Sequence, residues 1–187
     1  MSLFSVDLIL GHTTWCTTNL SHSTRSSLLS RQENVAMKGT ATQSSTYDSG
    51  EGYGGSHVAS RAIDGGSVAL DLSQLDKKNS MSHTYSGVAS DVWWNLELDQ
   101  DYTISQVIIF NRSDDYAYSG ARIKGFVLKV LDKDDNVVFT QTDPATYADT
   151  DVDTPLSFVI DIDPDKVGKK VRISLPSGSM LQLQEVM

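Results

Sequence analysis

The feature that most constrains this chain is the recurrence, from Asn34 onward, of short β-branched and aromatic runs broken by clusters of Gly, Asp, Pro and Ser. Side chains alternate across a strand, so an apolar residue at every second position marks a half-buried strand. Phe126, Leu128 and Val130 alternate in this way, as do Phe158, Ile160 and Ile162. Strands are expected over 92–98, 104–111, 123–131, 136–141, 156–162 and 169–175, with a last one beginning at Leu181. Asp132-Lys133-Asp134-Asp135-Asn136 has the composition of a hairpin turn. Helical periodicity is absent, apart from a turn around Ser60-Arg61-Ala62-Ile63. Short strands at regular spacing predict an all-β fold, an antiparallel β-sandwich or jelly roll.

The chain does not read evenly. Thr13 to Arg31 is dominated by Ser, Thr and Asn without a sustained period, so residues 1–33 are expected to form a tail or linker, or the remnant of a preceding domain. Residues 34–187 form the expected domain. Within it, Gly39 to Val88 is rich in Gly and Ser. Long loops at one end of a rigid sandwich are where binding residues usually gather.

Composition excludes several partners. The 187 residues carry 15 basic and 24 acidic side chains, for a net charge of −9. Nucleic acid needs a basic surface, and no basic run is present. The longest early apolar run, Leu8-Ile9-Leu10, is too short for a signal peptide core or a membrane span. Cys16 is the only cysteine, so no intrachain disulfide can form. The acidic residues sit in solvated turns such as Asp132–Asp135, not as a carboxylate pair in an apolar cleft, and no nucleophile elbow or phosphate loop occurs. The expectation is a protein that is not an enzyme.

Several segments, taken in order, resemble the F-type lectin, or fucolectin-like, family of galactose-binding, discoidin-like jelly rolls. They are Asn34 to Thr46, Ala62-Ile63-Asp64-Gly65, Ser82-His83-Thr84, Trp93-Trp94, Asn111-Arg112-Ser113-Asp114, Arg122-Ile123 and Leu181 to Val186. The resemblance implies a non-catalytic module that binds L-fucose in fucosylated glycans through His83, Arg112 and Arg122. Both intervals within this trio are slightly longer than the family's. Many animal members place a vicinal disulfide between Arg112 and Arg122, and this chain resembles the bacterial, cysteine-free members instead.

The chemistry suits a neutral sugar. Arginine offers a rigid fork of donors, and histidine can donate or accept toward a hydroxyl. Asp114 is expected to orient the two guanidinium groups, while Tyr53, His57, Tyr116 and Tyr118 are loop aromatics that could wall the sugar's methyl group. On the residues alone, Arg112 and Arg122 read equally as surface ion-pair partners of Asp114 and Asp115. Trp93 and Trp94 are expected to be structural, with one indole in the core.

The resemblance also implies a structural Ca²⁺ site tying the long loop to the C-terminal strand. Its ligands would be Gly66 and Gln184 through the main chain, with Asp71, Ser73, Ser80 and Glu185 through side chains. Asp64 and Asp76 are substitutes in a shifted register, and a loop held by hydrogen bonds without metal is the alternative. Asn111-Arg112-Ser113 is a formal glycosylation sequon, and a glycan there would sit on the sugar site. Secretion or cell-surface display follows from the expected function, as does presentation in tandem or as an oligomer. Other readings are a discoidin-like module for a different galacto-configured glycan or a protein surface, and an accessory domain of a larger glycosidase or toxin. The last strand stops at Met187, where the family continues, which fits a module cut from a longer chain.

Overall fold

The computed structural model describes residues 33–48, 56–65, 81–85, 91–112, 120–145, 155–175 and 179–187. Two antiparallel sheets account for nearly all of them. One is five-stranded, built from β1 (Thr40–Gln43), β3 (Val92–Thr103), β8 (Val167–Leu175), β5 (Val127–Leu131) and β6 (Val137–Thr142) in that spatial order. The other is four-stranded, in the order β2 (Ser82–His83), β9 (Gln182–Val186), β4 (Gln106–Asn111) and β7 (Ser157–Asp161). The sandwich and most strand positions agree with the sequence pattern, but β3 runs on to Thr103 past the expected end at 98, and β5 begins at Val127 because Ile123 belongs to a 3-10 turn. Among the described residues the only helical pieces are 3-10 turns at Ala36–Lys38, Ala59–Ala62 and Gly120–Ile123. No described helix is long and apolar enough to cross a membrane.

Alternation decides which side chains fill the space between the sheets. Trp94, Leu96 and Leu98 of β3, Leu128 and Val130 of β5, and Val171, Ile173 and Leu175 of β8 face inward. Val107 and Ile109 of β4, Phe158 and Ile160 of β7, and Leu183 of β9 meet them. Phe126 and Phe158 lock the layers edge to face, with centroids 5.0 Å apart. The tryptophan pair divides as strand geometry requires. Trp94 is fully buried and its Nε1–H donates to the Ala59 carbonyl at 3.0 Å, while Trp93 turns outward beneath the Arg172 guanidinium, 4.8 Å from the ring centroid. The Asp132 carboxylate accepts the backbone N–H groups of Asp134 and Asn136, each at 2.9 Å, which closes the β5–β6 hairpin where its composition placed it.

The four-stranded sheet carries buried polar side chains near its middle. All five residues of β9 are buried, polar ones included. It lies between β2 and β4, and its register places His83 opposite Gln182 and Asn111 opposite Leu183. The β4–β9 pairing slips after Phe110–Glu185, so Gln184 is the extra residue of a β-bulge.

Candidate sugar site

Leu181 and Leu183 point into the core. Gln182, between them, therefore points to the other side of the sheet, together with its cross-strand partner His83. Arg112 follows Asn111 at the end of β4, and Arg122 lies in the 3-10 turn Gly120–Ile123. β2, the end of β4 and the 3-10 turn that follows it thus deliver His83, Arg112 and Arg122 to one place.

Their meeting point is the Gln182 side chain. A carboxamide can face such a cluster either way, but only with Oε1 toward it does every contact pair a donor with an acceptor. In that orientation Oε1 accepts from His83 Nε2 at 2.8 Å, Arg112 Nη1 at 2.7 Å and Arg122 Nη1 at 3.1 Å.

Each member is anchored from behind. Asn111 is 2% exposed and donates through Nδ2 to the carbonyls of Gly120 (3.0 Å) and Pro155 (3.2 Å). Its Oδ1 accepts the Arg112 backbone N–H at 2.8 Å. One buried amide therefore fixes both the start of the Arg122 turn and the backbone of Arg112. The same bonds use both amide hydrogens of the sequon asparagine, so in this fold Asn111 has no spare N–H to exchange for a glycan. On the opposite flank, Tyr47 N–H donates to the His83 carbonyl (2.9 Å), His57 N–H to the Tyr47 carbonyl (3.1 Å) and His83 N–H to the His57 carbonyl (3.1 Å).

Aromatic rings gather in this lattice. The Tyr47 ring is 4.6 Å from that of His83, 5.9 Å from that of His57 and 6.4 Å from that of Tyr85. His57 does not take the surface position, as part of an apolar wall, that its loop context predicts. It is buried, with Nδ1–H directed to the Met81 carbonyl at 3.2 Å and its ring edge-on to His83 at 5.7 Å. Its position is that of a support for His83. Tyr47 lies beside His83 and exposed Tyr85 stacks on Tyr47, and the sequence pattern marks neither. Tyr53, Asp114, Tyr116 and Tyr118 lie outside the described residues.

Burial removes water from His83 and drives its imidazole down to about 3, and His57, Arg112 and Arg122 add their repulsion. Burial also lowers His57, opposed by its hydrogen bond to Met81. His83 is thus neutral at physiological pH. With its Nε2 proton held by Gln182, Nδ1 keeps the ring's lone pair.

A second cluster lies farther along β9. Glu185 is fully buried, and its Oε1 accepts the Gly65 backbone N–H at 3.3 Å. Gly65 has φ = +77°, the left-handed conformation that glycine adopts without strain, where the Ala59–Ala62 turn leads toward the long loop. Gly66, Asp71, Ser73, Ser80 and Asp76 lie outside the described residues. Among those described, no three His, Cys, Asp or Glu side chains come close enough to hold a metal ion by themselves.

Comparison with known proteins bears on what this arrangement is. Residues 61–173 match the family described as the NedA-like, galactose-binding domain of F5/F8 type C. The chain is 34% identical over 155 residues to fucolectin-3 of Anguilla japonica, covering 83% of this chain and 78% of that protein. It belongs to the F-type lectin family. Among solved structures, this F-type lectin domain resembles a Streptococcus pneumoniae fucose binding module, SpX-3, at 30% identity and a TM-score of 0.60, over 83% of this chain and 96% of that one. It also resembles the lectin domain of lectinolysin complexed with Lewis B antigen, at 25% identity and a TM-score of 0.62, over 82% and 94% of the two chains.

Proposed function

We propose that this F-type lectin domain binds L-fucose in fucosylated glycans through His83, Arg112 and Arg122, without acting on it. The observation that carries the reading is the convergence of one neutral imidazole and two guanidinium groups on a single oxygen, all within 3.1 Å. Held at that spacing by Gln182, the three side chains present a fixed polar array to the hydroxyls of one sugar. Tyr47 and Tyr85 offer a face for the sugar's apolar side. The fucolectin and fucose-binding relatives support the same sugar.

Catalysis has no place in this reading. Glycoside hydrolysis needs a carboxylic acid held protonated by an apolar setting. The Asp132 carboxyl, in a surface recess shared with Asp101, Asp134 and Asp165, is shifted the other way, because the Asn136 side chain and backbone donate hydrogen bonds to it.

Calcium belongs to the proposal as a structural ion. A buried carboxylate at Glu185 beside a bulged backbone at Gln184 is an oxygen-rich setting of the kind a hard cation takes. Glu185 and the Gln184 main chain would hold the ion with Gly66, Asp71, Ser73 and Ser80, and the ion would tie that loop to β9. Secretion or cell-surface display places such a module where fucosylated glycans occur. Presentation of several copies would raise avidity above that of one site.

Calorimetric titration with L-fucose, run with calcium and with a chelator, tests the reading. Saturable binding to L-fucose is expected, and a glycan array should give signal confined to fucosylated structures. Signal only on non-fucosylated galacto-configured glycans would overturn the choice of sugar and leave the module reading.

A further inference from the structure

The geometry points to Gln182 as a positioning residue: its one carbonyl oxygen sets the spacing of His83, Arg112 and Arg122 and fixes which nitrogen of His83 carries the proton. The inference deepens the sugar-binding reading and rests on it for its effect on affinity.

Gln182 is 2% exposed, on a central strand, with leucine on either side. A buried carboxamide is tolerated only where its polar atoms are used. Here the use is unusual, because three donors from three different elements share one acceptor. His83 comes from β2, Arg112 from the end of β4 and Arg122 from the turn after it, and the Gln182 side chain links all three. Two guanidinium groups this close repel each other, and the carbonyl oxygen they share draws both in.

The carboxamide also decides the tautomer. An acceptor facing Nε2 keeps the proton there and leaves Nδ1 as the acceptor nitrogen. Without the oxygen, Nε2 keeps only the Met180 sulfur at 3.4 Å, a weak acceptor, and the guanidinium groups lose the atom that gathers them.

The test compares Gln182→Met, which keeps the volume and removes the oxygen, with Gln182→Glu, which keeps an acceptor in the same place. L-fucose affinity is expected to fall about tenfold or more in Q182M, a change of about 1.4 kcal/mol, and Q182E should stay closer to the parent than Q182M. Long-range ¹H–¹⁵N spectra of the free parent protein should show His83 protonated on Nε2, and Q182M should lose that preference. Affinity in Q182M equal to or tighter than the parent's, or equal losses in both variants, would overturn the inference. So would a parent His83 protonated on Nδ1, which also decides the matter if Q182M does not fold. Failure of the parent to bind L-fucose would instead count against the choice of sugar, since the tautomer measurement needs no ligand.

Discussion

The indole N–H of Trp94 donates to the backbone carbonyl of Ala59 at 3.0 Å, joining the five-stranded sheet to the 3-10 turn that leads to Gly65. This bond connects the hydrophobic core to the loop side of the domain. Trp94→Ala would remove a fully buried ring and leave the Ala59 carbonyl without this donor. Loss of about 3–5 kcal/mol of stability is expected. Trp93→Ala removes an outward ring stacked by Arg172, and about 1 kcal/mol is the expected scale. Denaturant unfolding of both variants checks the contrast, and equal losses would contradict the assigned orientations.

Much of this was legible in the sequence. Period-2 runs such as Phe126-Leu128-Val130 mark strands because they bury one face, and the structure places them within β5 and just ahead of it. The trio could be read from the family motif because His83, Arg112 and Arg122 each sit in a recognisable local context. Gln182 and Tyr47 were not legible. Leu181-Gln182-Leu183-Gln184 alternates like a strand with a wet face, and nothing local shows that β9 lies between two strands with its outer face covered. Tyr47 is brought against His83 by backbone bonds among three separate segments. His57 looks like a surface loop aromatic for the same reason, since its burial is created by partners distant in the chain.

Arg112→Ala tests the sugar site directly. Its Nη1 lies 2.7 Å from the shared oxygen, and its backbone is fixed by Asn111 independently of the side chain. Truncation should leave the backbone in place and remove charged donors, each worth about 1.5–3 kcal/mol. L-fucose binding should fall by more than about tenfold with the thermal midpoint roughly unchanged. A collapse of the fold would make Arg112 structural and refute its role in recognition.

Dependence on pH follows from His83. Its folded-state value of about 3 lies below the ordinary 6.5 of an exposed imidazole. Between those values the unfolded chain binds a proton that the folded chain does not, so stability falls as pH is lowered through that window. It is fully present above pH 6.5, and the slope from this one group is at most about 1.4 kcal/mol per pH unit. His57 is shifted in the same direction and adds to the trend. Because His83 stays neutral, L-fucose affinity should be level from pH 8 down to about 5. An affinity step near pH 6.5 that disappears in His83→Gln would show an exposed, ordinary imidazole and contradict the buried geometry.

Glu185 makes the calcium proposal testable without any sugar. Its carboxylate is fully buried and its Oε1 holds the Gly65 amide. Glu185→Gln keeps an oxygen for that amide and removes the charge, so the variant should fold. Added calcium should then raise the parent's thermal midpoint, by the equivalent of about 2.7 kcal/mol at a hundredfold excess over Kd. The variant, lacking the charge that would hold the ion, should respond weakly or not at all. A parent midpoint indifferent to calcium would mean that β9 and the long loop are joined by hydrogen bonds alone. A variant that responds as strongly as the parent would move the ion away from Glu185.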